Sequence, residues 1–374
     1  MNSDKKPSIP RTPRQMRQQG APSSDYIPSK EESRRKRNRL LIVIGVLIGV
    51  IVIIIGCALL PYVATGAHSR QTIRIPHGAT GAQLRDTIEK YYDRQYADKV
   101  LIMMHVADTT HLTHTGSFTI EEGMSPFRAG RLLKVGAQTP VKITVNGFRS
   151  VDLLTDRIAR KLETSRDSLE KAMTDSVLLA KAPGINVDRR LAIFIEDTYE
   201  VYWNTSPQEL VEKFIKHYNS VWNKERTARA EALGLTPGDV MIICSIVDEE
   251  SNAKSEKGTI GRLYINRLKK GMKLQADPTV RFALNDFTIR RVTRNHLTVD
   301  SPYNTYQVEG LPPGPIRTTS VETIDAVLNS QPNDYLYMCA KEDFSGTHNF
   351  AADYATHQEN ARRYQNALNE RGIK

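Results

Sequence analysis

The chain has 374 residues and a formal net charge of +10. The first 39 residues hold 11 Lys or Arg against 4 Asp or Glu, so the remaining 335 residues carry only +3, and nucleic-acid binding is not supported. The three cysteines, Cys57, Cys244 and Cys339, provide neither a metal motif nor a disulfide framework, although pairing of the last two stays open.

The first predicted element is a transmembrane helix over residues 40–61. No charged residue lies between Leu40 and Leu60, and this apolar stretch is long enough to span a hydrocarbon core of ~30 Å. Residues 1–39 are predicted to be a disordered basic cytoplasmic tail. Basic residues cluster before the apolar stretch and none follows it up to His68, so the positive-inside rule places the rest of the chain outside the cytoplasm. Signal-peptide processing is the alternative, by cleavage at a lipoprotein-like box near Cys57 or by signal peptidase after residues 64–66. The length of the apolar stretch disfavours it.

Residues 70–140 are predicted to form a small α+β module. Ile73 and Ile75 alternate as in a strand and precede a turn and a helix, and further helices near 96–105 and 126–135 flank a strand at 116–120. In this pattern the module resembles LysM-like glycan-binding units. A second strand, turn and helix begins at Ile143, about 70 residues later. It indicates either an internal repeat or a chance agreement of short amphipathic segments.

Residues 141–374 are predicted to form a mixed α/β catalytic domain, which gives an overall α+β class. Helices are predicted over 150–182, with an apolar stripe formed by Leu153, Leu154, Ile158 and Leu162. The further predicted elements are a buried strand at 191–195, one long helix over 207–233, helices at 237–250 and 255–270, and a strand at 335–340.

The helix that ends at Glu250 contains the leading catalytic candidate. Thr236 suits the N-cap, Pro237 the first helical position and Asp239 the positive end of the helix dipole. At about 100° per residue, Glu250 lies between Ile243 and Ile246 on the apolar face. Loss of water there disfavours the charged carboxylate and raises its pKa, as a proton donor requires. An ion pair with a buried Arg, or a purely structural helix end, is the alternative.

The polar segment 272–316 is predicted to be either an ordinary surface loop or the wall of a groove. Interleaved amides, carboxylates and rings suit a sugar polymer, whose hydroxyls take hydrogen bonds while its apolar faces stack on aromatic side chains. The candidates in this segment are Gln275, Asp277, Tyr303, Asn304 and Tyr306. His348 and His357 have no third partner at ligand spacing, so we expect no metal.

Six segments in order closely resemble the YceG-like (MltG) family of membrane-anchored endolytic murein transglycosylases. They are 245–250 (SIVDEE), 265–268 (INRL), 271–280 (GMKLQADPTV), 301–306 (SPYNTY), 310–314 (GLPPG) and 346–350 (GTHNF). The departures are mild and concern substrate positioning: Asp248 stands where the family usually has Glu, Glu196 replaces a Pro, and Asn146 replaces a Glu.

The resemblance implies that Glu250 is catalytic and that no cofactor is needed. It implies substrate binding by Asn266, Gln275, Asp277, Tyr303, Asn304, Tyr306 and His348. It also implies a single-pass protein of the bacterial cytoplasmic membrane that acts on peptidoglycan strands, with cell-wall synthases as partners.

The expected reaction is cleavage of the MurNAc-β-1,4-GlcNAc bond within nascent strands, which leaves 1,6-anhydro-MurNAc ends and terminates glycan elongation. One acid suffices because the C6 hydroxyl of the substrate acts as the nucleophile. Two alternatives remain at this stage. One is a two-carboxylate peptidoglycan hydrolase that uses Asp248 or Asp277 as its second acid, and the other is a non-catalytic glycan-binding scaffold.

Overall fold

The computed structural model describes residues 29–289 and 291–372, in two units that divide after Ala64. The first unit contains helix α1 (Lys30–Val63), which is long and apolar enough to cross a membrane. The helix begins ten residues before the predicted span because Ser29 caps it: the Ser29 side chain accepts a hydrogen bond from the Glu32 backbone N–H at 3.2 Å. The predicted disordered tail is therefore helical over 30–39, and its residues 1–28 lie outside the described residues.

The second unit begins with two strands and two helices in the order βααβ. These are β1 (Gln71–Ile75), α2 (Gly81–Glu89), α3 (Arg94–Met104) and β2 (Gly116–Ile120), followed by α4 (Pro126–Val135). Strands β1 and β2 pair antiparallel, with Ile73 opposite Phe118, and both side chains are buried in a core of their own. The predicted strand at 116–120 and helix at 126–135 are confirmed at the same boundaries.

A second segment with a strand, a turn and a helix follows, as predicted from Ile143 onward. It comprises β3 (Val141–Val145), α5 (Val151–Ala159), α6 (Arg166–Met173), α7 (Ser176–Leu179) and β4 (Asp197–Val201), and β3 pairs antiparallel with β4. Hydrogen bonds link this segment to the preceding one: the His77 backbone N–H and Nδ1 bond to Glu163, both at 2.7 Å, and Asn204 Nδ2 bonds to Thr115 Oγ1 at 3.0 Å.

Three sequence-based expectations are wrong in this region. Residues 191–195 are buried as predicted, but they form a 3₁₀ turn (Arg190–Ile193) while Asp197–Val201 makes the strand. A short apolar stretch indicates burial without distinguishing strand from helix. The predicted helix over 207–233 is two helices, α8 (Pro207–Val221) and α9 (Lys224–Ala232), because Asn223 caps the second. Leu153 is 57% exposed and does not belong to the buried stripe of α5.

The central helix α10 (Pro237–Glu250), in which every residue from Val240 to Val247 is buried, precedes the remaining elements. They are α11 (Lys257–Lys269), α12 (Asp277–Ala283), α13 (Val321–Leu328), β5 (Tyr337–Ala340), β6 (His348–Ala351) and α14 (Tyr354–Glu370), with β5 and β6 paired antiparallel. Helix α10 packs against α11, α12 and α13. Cys244 is buried next to them and, like Cys57 and Cys339, is a free thiol.

Candidate active site

The start and the end of α10 are both fixed by local interactions. Thr236 and Asp239 form a reciprocal capping box: the Asp239 backbone N–H donates to Thr236 Oγ1 at 3.2 Å, and the Thr236 backbone N–H donates to Asp239 Oδ2 at 2.9 Å. This confirms the predicted N-terminus. The helix ends at Glu250 because Ser251 is extended. Its last turn therefore carries three consecutive carboxylates that point in different directions.

The first two carboxylates are engaged by cations and hydroxyls of the protein. Asp248 Oδ1 accepts from Lys257 Nζ at 2.6 Å and from Thr323 Oγ1 at 2.7 Å, which joins α10 to α11 and α13. Glu249 accepts two hydrogen bonds from the Arg149 guanidinium at 2.9 and 3.0 Å and a third from Arg317. Asp248 thus belongs to a structural ion pair, which argues against its use as a second catalytic acid.

The Glu250 carboxyl faces a cavity of about 230 Å³. Its Oε1 accepts a hydrogen bond from the Tyr264 hydroxyl at 2.8 Å. Burial raises the pKa of Glu250 to about 7; the Tyr264 hydrogen bond opposes this rise, and the charge of Asp277 adds to it. Within the described residues, no Arg or Lys forms an ion pair with Glu250. The group is therefore a partly shielded acid that can hold a proton near neutral pH.

Four of the seven predicted substrate-binding residues line the same cavity: Gln275, Asp277, Tyr306 and His348. Tyr306 donates its hydroxyl hydrogen to Asp277 Oδ1 at 2.6 Å. Gln275 has a left-handed backbone with φ 49°, held by a hydrogen bond from its N–H to the Thr305 carbonyl oxygen at 3.0 Å. Such strain in a non-glycine residue is typical of functional sites.

Asn266, Tyr303 and Asn304 do not line the cavity. Asn304 is completely buried, and its amide donates to the Leu297 and Val299 carbonyl oxygens at 3.0 and 2.8 Å. Asn266 donates to the Asn333 carbonyl oxygen at 2.8 Å, and the Tyr303 ring packs on Phe282 at 4.7 Å between centroids. The expectation of direct substrate contact is therefore corrected for Asn304, because backbone carbonyls occupy its amide group. Asn304 also contacts a cavity residue, because its Oδ1 accepts from the Tyr306 backbone N–H at 3.1 Å.

Glu256 contributes to the site, and the sequence did not indicate it. Its buried carboxylate accepts from the His348 backbone N–H at 2.9 Å, from His348 Nδ1 at 2.8 Å and from Ser251 Oγ at 2.6 Å. Because Nδ1 is held, Nε2 is the ring nitrogen of His348 that remains available to a ligand. Glu256 stands among Lys254, Ser255 and Lys257, which read as a solvated stretch, so only the fold reveals its role.

Two further cationic side chains line the cavity beside Glu250. The buried Arg267 guanidinium donates to the Leu336 and Leu274 carbonyl oxygens, both at 2.6 Å, and so fixes the wall beside Gln275. Arg281, one turn after Asp277 on α12, also faces the cavity, and its charge lowers the pKa of Glu250. The cavity thus combines one proton donor with amide, hydroxyl, imidazole and guanidinium groups, a set suited to a polyhydroxylated ligand.

The model of the YceG-like family matches residues 73–363 of this chain. The endolytic murein transglycosylase of Bacillus subtilis (strain 168) is 32% identical over 168 residues, which cover 45% of this chain and 46% of the relative. The endolytic murein transglycosylase of Streptococcus pneumoniae serotype 2 is 24% identical over 155 residues, which cover 38% of this chain and 26% of the relative. The aligned region thus spans less than half the length of these curated relatives.

A crystal structure of a YceG-like protein from Listeria monocytogenes shares the fold. It has a TM-score of 0.52 and 22% sequence identity, and the alignment covers 78% of this chain and 98% of that chain.

Proposed function

This chain belongs to the YceG-like family, and we propose that it is a peptidoglycan lytic transglycosylase with Glu250 as its catalytic acid and base. The observation that carries the proposal is the cavity-facing Glu250 carboxyl, whose pKa is raised to about 7 by burial. The curated relatives named endolytic murein transglycosylase support the same activity.

Glu250 would act twice in one turnover. Its proton passes to the glycosidic oxygen as the bond from that oxygen to C1 of N-acetylmuramic acid breaks, and the carboxylate so formed then takes the proton of the C6 hydroxyl. The C6 oxygen bonds to C1 and closes a 1,6-anhydro ring, which restores protonated Glu250 without consuming water. General acid–base assistance of this kind contributes about 10²–10⁴-fold in rate.

The other cavity groups would position the sugars and stabilise developing charge. The Asp277 carboxylate is the second acidic group of the cavity, and its negative charge suits the oxocarbenium-like transition state. Tyr306 fixes Asp277, and Glu256 fixes His348, so both groups are held before substrate binds. Gln275 is the exposed amide at the rim. Asn304 holds the Tyr306 backbone in place, whereas Asn266 and Tyr303 lie outside the cavity.

The wider assignment is a terminator of glycan elongation at the membrane. With α1 as a single-pass anchor and a cytoplasmic N-terminus, the catalytic domain, residues 141–374, would meet nascent strands close to the bilayer and cut within them. The LysM-like module over 70–140 would contact the same glycan, and cell-wall synthases would be neighbours. No nucleic acid or cofactor enters this proposal.

The test is the cleavage of uncrosslinked glycan strands by the full-length protein in detergent micelles. We expect anhydro-ended products from the wild type and a loss of at least 100-fold in rate for Glu250→Gln. Glu309→Gln, a matched change of an exposed glutamate outside the cavity, should cleave at the wild-type rate. Equal activity of Glu250→Gln and wild type would refute the assignment of Glu250.

A two-carboxylate hydrolase remains the second candidate because Asp277 lies in the same cavity as Glu250. In that case water rather than the C6 hydroxyl would attack C1. Digestion in ¹⁸O-labelled water separates the two reactions by mass: hydrolysis places the label in a reducing end, whereas the transglycosylase leaves an unlabelled anhydro end.

A further inference from the structure

A second cavity, of about 610 Å³, lies near the end of α10, since Arg149 of its lining binds Glu249, and it is lined mainly by cationic and aromatic groups. Arg149, Arg157 and Arg160 face it, and Phe148 and Phe287 supply its rings. Two guanidinium groups lie over these rings, at 4.6 Å for Arg149 on Phe287 and 5.7 Å for Arg157 on Phe148. This second cavity is large enough for part of a peptide or a sugar unit.

The positive charge of the second cavity is only partly balanced by the protein. Glu249 pairs with Arg149 at 2.9 Å, and the one carboxylate of the lining, Asp156, shares Arg166 with two other carboxylates. In the part of the chain that the structure describes, neither Arg157 nor Arg160 has a carboxylate partner, and both are exposed. Arginine forks that face solvent beside aromatic rings are suited to planar anions such as carboxylates.

The wall of the second cavity is rigidly built. The Gly147 backbone N–H donates to Glu196 Oε1 at 2.7 Å, and the Phe148 backbone N–H donates to Thr318 Oγ1 at 3.1 Å. Gly147 has φ 66°, a turn conformation that glycine adopts without strain. Glu196 stands where the family usually has Pro, and it fixes this turn. A wall held in this way loses little entropy when a ligand binds.

Consecutive residues at the end of α10 contact the two cavities. Glu249 binds Arg149 of the second cavity while the next residue, Glu250, faces the first. Helix α12 contributes Asp277 and Arg281 to the first cavity, and the chain reaches Phe287 of the second six residues after Arg281. The second cavity is thus built on residues that contact, or follow closely in sequence, those that form the first.

We propose that the second cavity binds carboxylates of the peptide that muramic acid carries in uncrosslinked strands. This inference rests on the proposed function, since it deepens the assignment of the substrate. The peptide hangs from every second sugar, so it recurs beside the cleavage cavity, whereas a lipid-linked phosphate is present only at the end of a strand. Arg157 and Arg160 bind the carboxylates, and Phe148 and Phe287 contact the apolar part of the peptide.

The test is binding of a soluble muramyl pentapeptide to the full-length protein in detergent micelles, measured by titration calorimetry. We expect the dissociation constant to rise about fivefold or more in the Arg157→Gln/Arg160→Gln variant, and binding to weaken with salt. A muramyl pentapeptide whose carboxylates are amidated should bind the wild type as weakly as the unmodified peptide binds the double variant. Its affinity should not fall further in the double variant. The matched control is Arg229→Gln/Arg362→Gln, exposed arginines of α9 and α14 that line neither cavity.

An unchanged dissociation constant in the double variant would overturn the inference. So would a cavity that binds inorganic pyrophosphate through Arg157 and Arg160 but does not bind the muramyl peptide. Because binding is measured without cleavage, the two proposals fail separately: a wild type that binds the peptide but does not cut strands would contradict the proposed function alone.

Discussion

At the residue scale, the shielding of Glu250 from water reduces the stability of the fold. An acid whose pKa is higher in the folded than in the unfolded state keeps its proton in the folded state while the unfolded chain loses it. The ordinary value for this group is 4.5, and burial raises the pKa of Glu250 to about 7. Stability therefore falls as the pH rises from about 4.5 to about 7, and the penalty is fully present above that range.

Glu250→Gln should accordingly stabilise the protein while it abolishes activity. We expect the free energy of unfolding at pH 8 to rise by about 1–3 kcal/mol, and the gain to vanish below pH 4.5, because glutamine cannot ionise and can still accept the Tyr264 hydrogen bond. Denaturant unfolding at the two pH values measures this difference. A variant that is less stable than the wild type at pH 8 would indicate a structural role for Glu250.

Tyr264 provides a second prediction, on the pH dependence of catalysis. Its hydroxyl stabilises the carboxylate form of Glu250, so Tyr264→Phe should raise the pKa further. For a proton donor, kcat/KM falls about tenfold per pH unit above the pKa. We expect this alkaline limb to begin near pH 7 in the wild type and about one pH unit higher in Tyr264→Phe. An unshifted limb would mean that another group sets the profile.

The burial of a side chain can be predicted from the sequence where a periodic pattern constrains it. Glu250 is predictable because a carboxylate on an apolar helix face is exceptional. Asn304 and Tyr306 are both polar residues of one loop, and the sequence does not distinguish their surroundings. The Asn304 amide is buried against backbone carbonyls, whereas Tyr306 lines the cavity. Which side chain of such a loop faces a ligand depends on contacts between α12 and the loop before α13, which have no periodic signature.

At the element scale, the contact between α10, α11 and α13 depends on one buried ion pair. Lys257 Nζ lies 2.6 Å from Asp248 Oδ1, and the two side chains are 14% and 7% exposed. Removal of the lysine leaves the buried Asp248 carboxylate with hydroxyl partners but without a cation, so Lys257→Ala should lower the free energy of unfolding by about 3–5 kcal/mol. Denaturant unfolding of full-length variants measures the loss.

The matched control for Lys257 is Lys254. Lys254 pairs with Glu322 of α13 at 2.7 Å, but the side chains are 73% and 54% exposed. Lys254→Ala should therefore cost less than about 1 kcal/mol, because solvent screens the pair. Equal losses in the two variants would contradict the view that Asp248 serves packing rather than chemistry.

Helix boundaries were predictable where capping residues mark them, and less so elsewhere. The starts of α4 and α10 follow from Ser125 and Thr236, each before a proline. Helix α12 was missed because its seven residues lie in a stretch dense in turn formers. The apolar residues 191–195 predict a strand, but a short apolar run does not show which segment pairs with β3. In the structure the next segment, β4, forms that pair.

At the scale of the whole molecule, the proposal requires the two ends of the chain to lie on opposite sides of a membrane. External protease on intact spheroplasts should digest the chain after residue 64 and leave a protected fragment that carries the N-terminus and α1. The control is the same digestion after lysis, in which the N-terminal part also becomes accessible. Complete protection before lysis would place the catalytic domain in the cytoplasm and exclude action on the cell wall.

The most direct test of the account is the protonation of Glu250 itself. We expect infrared spectra of the full-length protein, recorded from pH 4 to pH 9, to contain a protonated-carboxyl band that titrates near pH 7 and is absent from Glu250→Gln. A carboxyl that loses its proton near the ordinary value of 4.5, or a band that persists in Glu250→Gln, would contradict the claim that a shielded Glu250 is the proton donor.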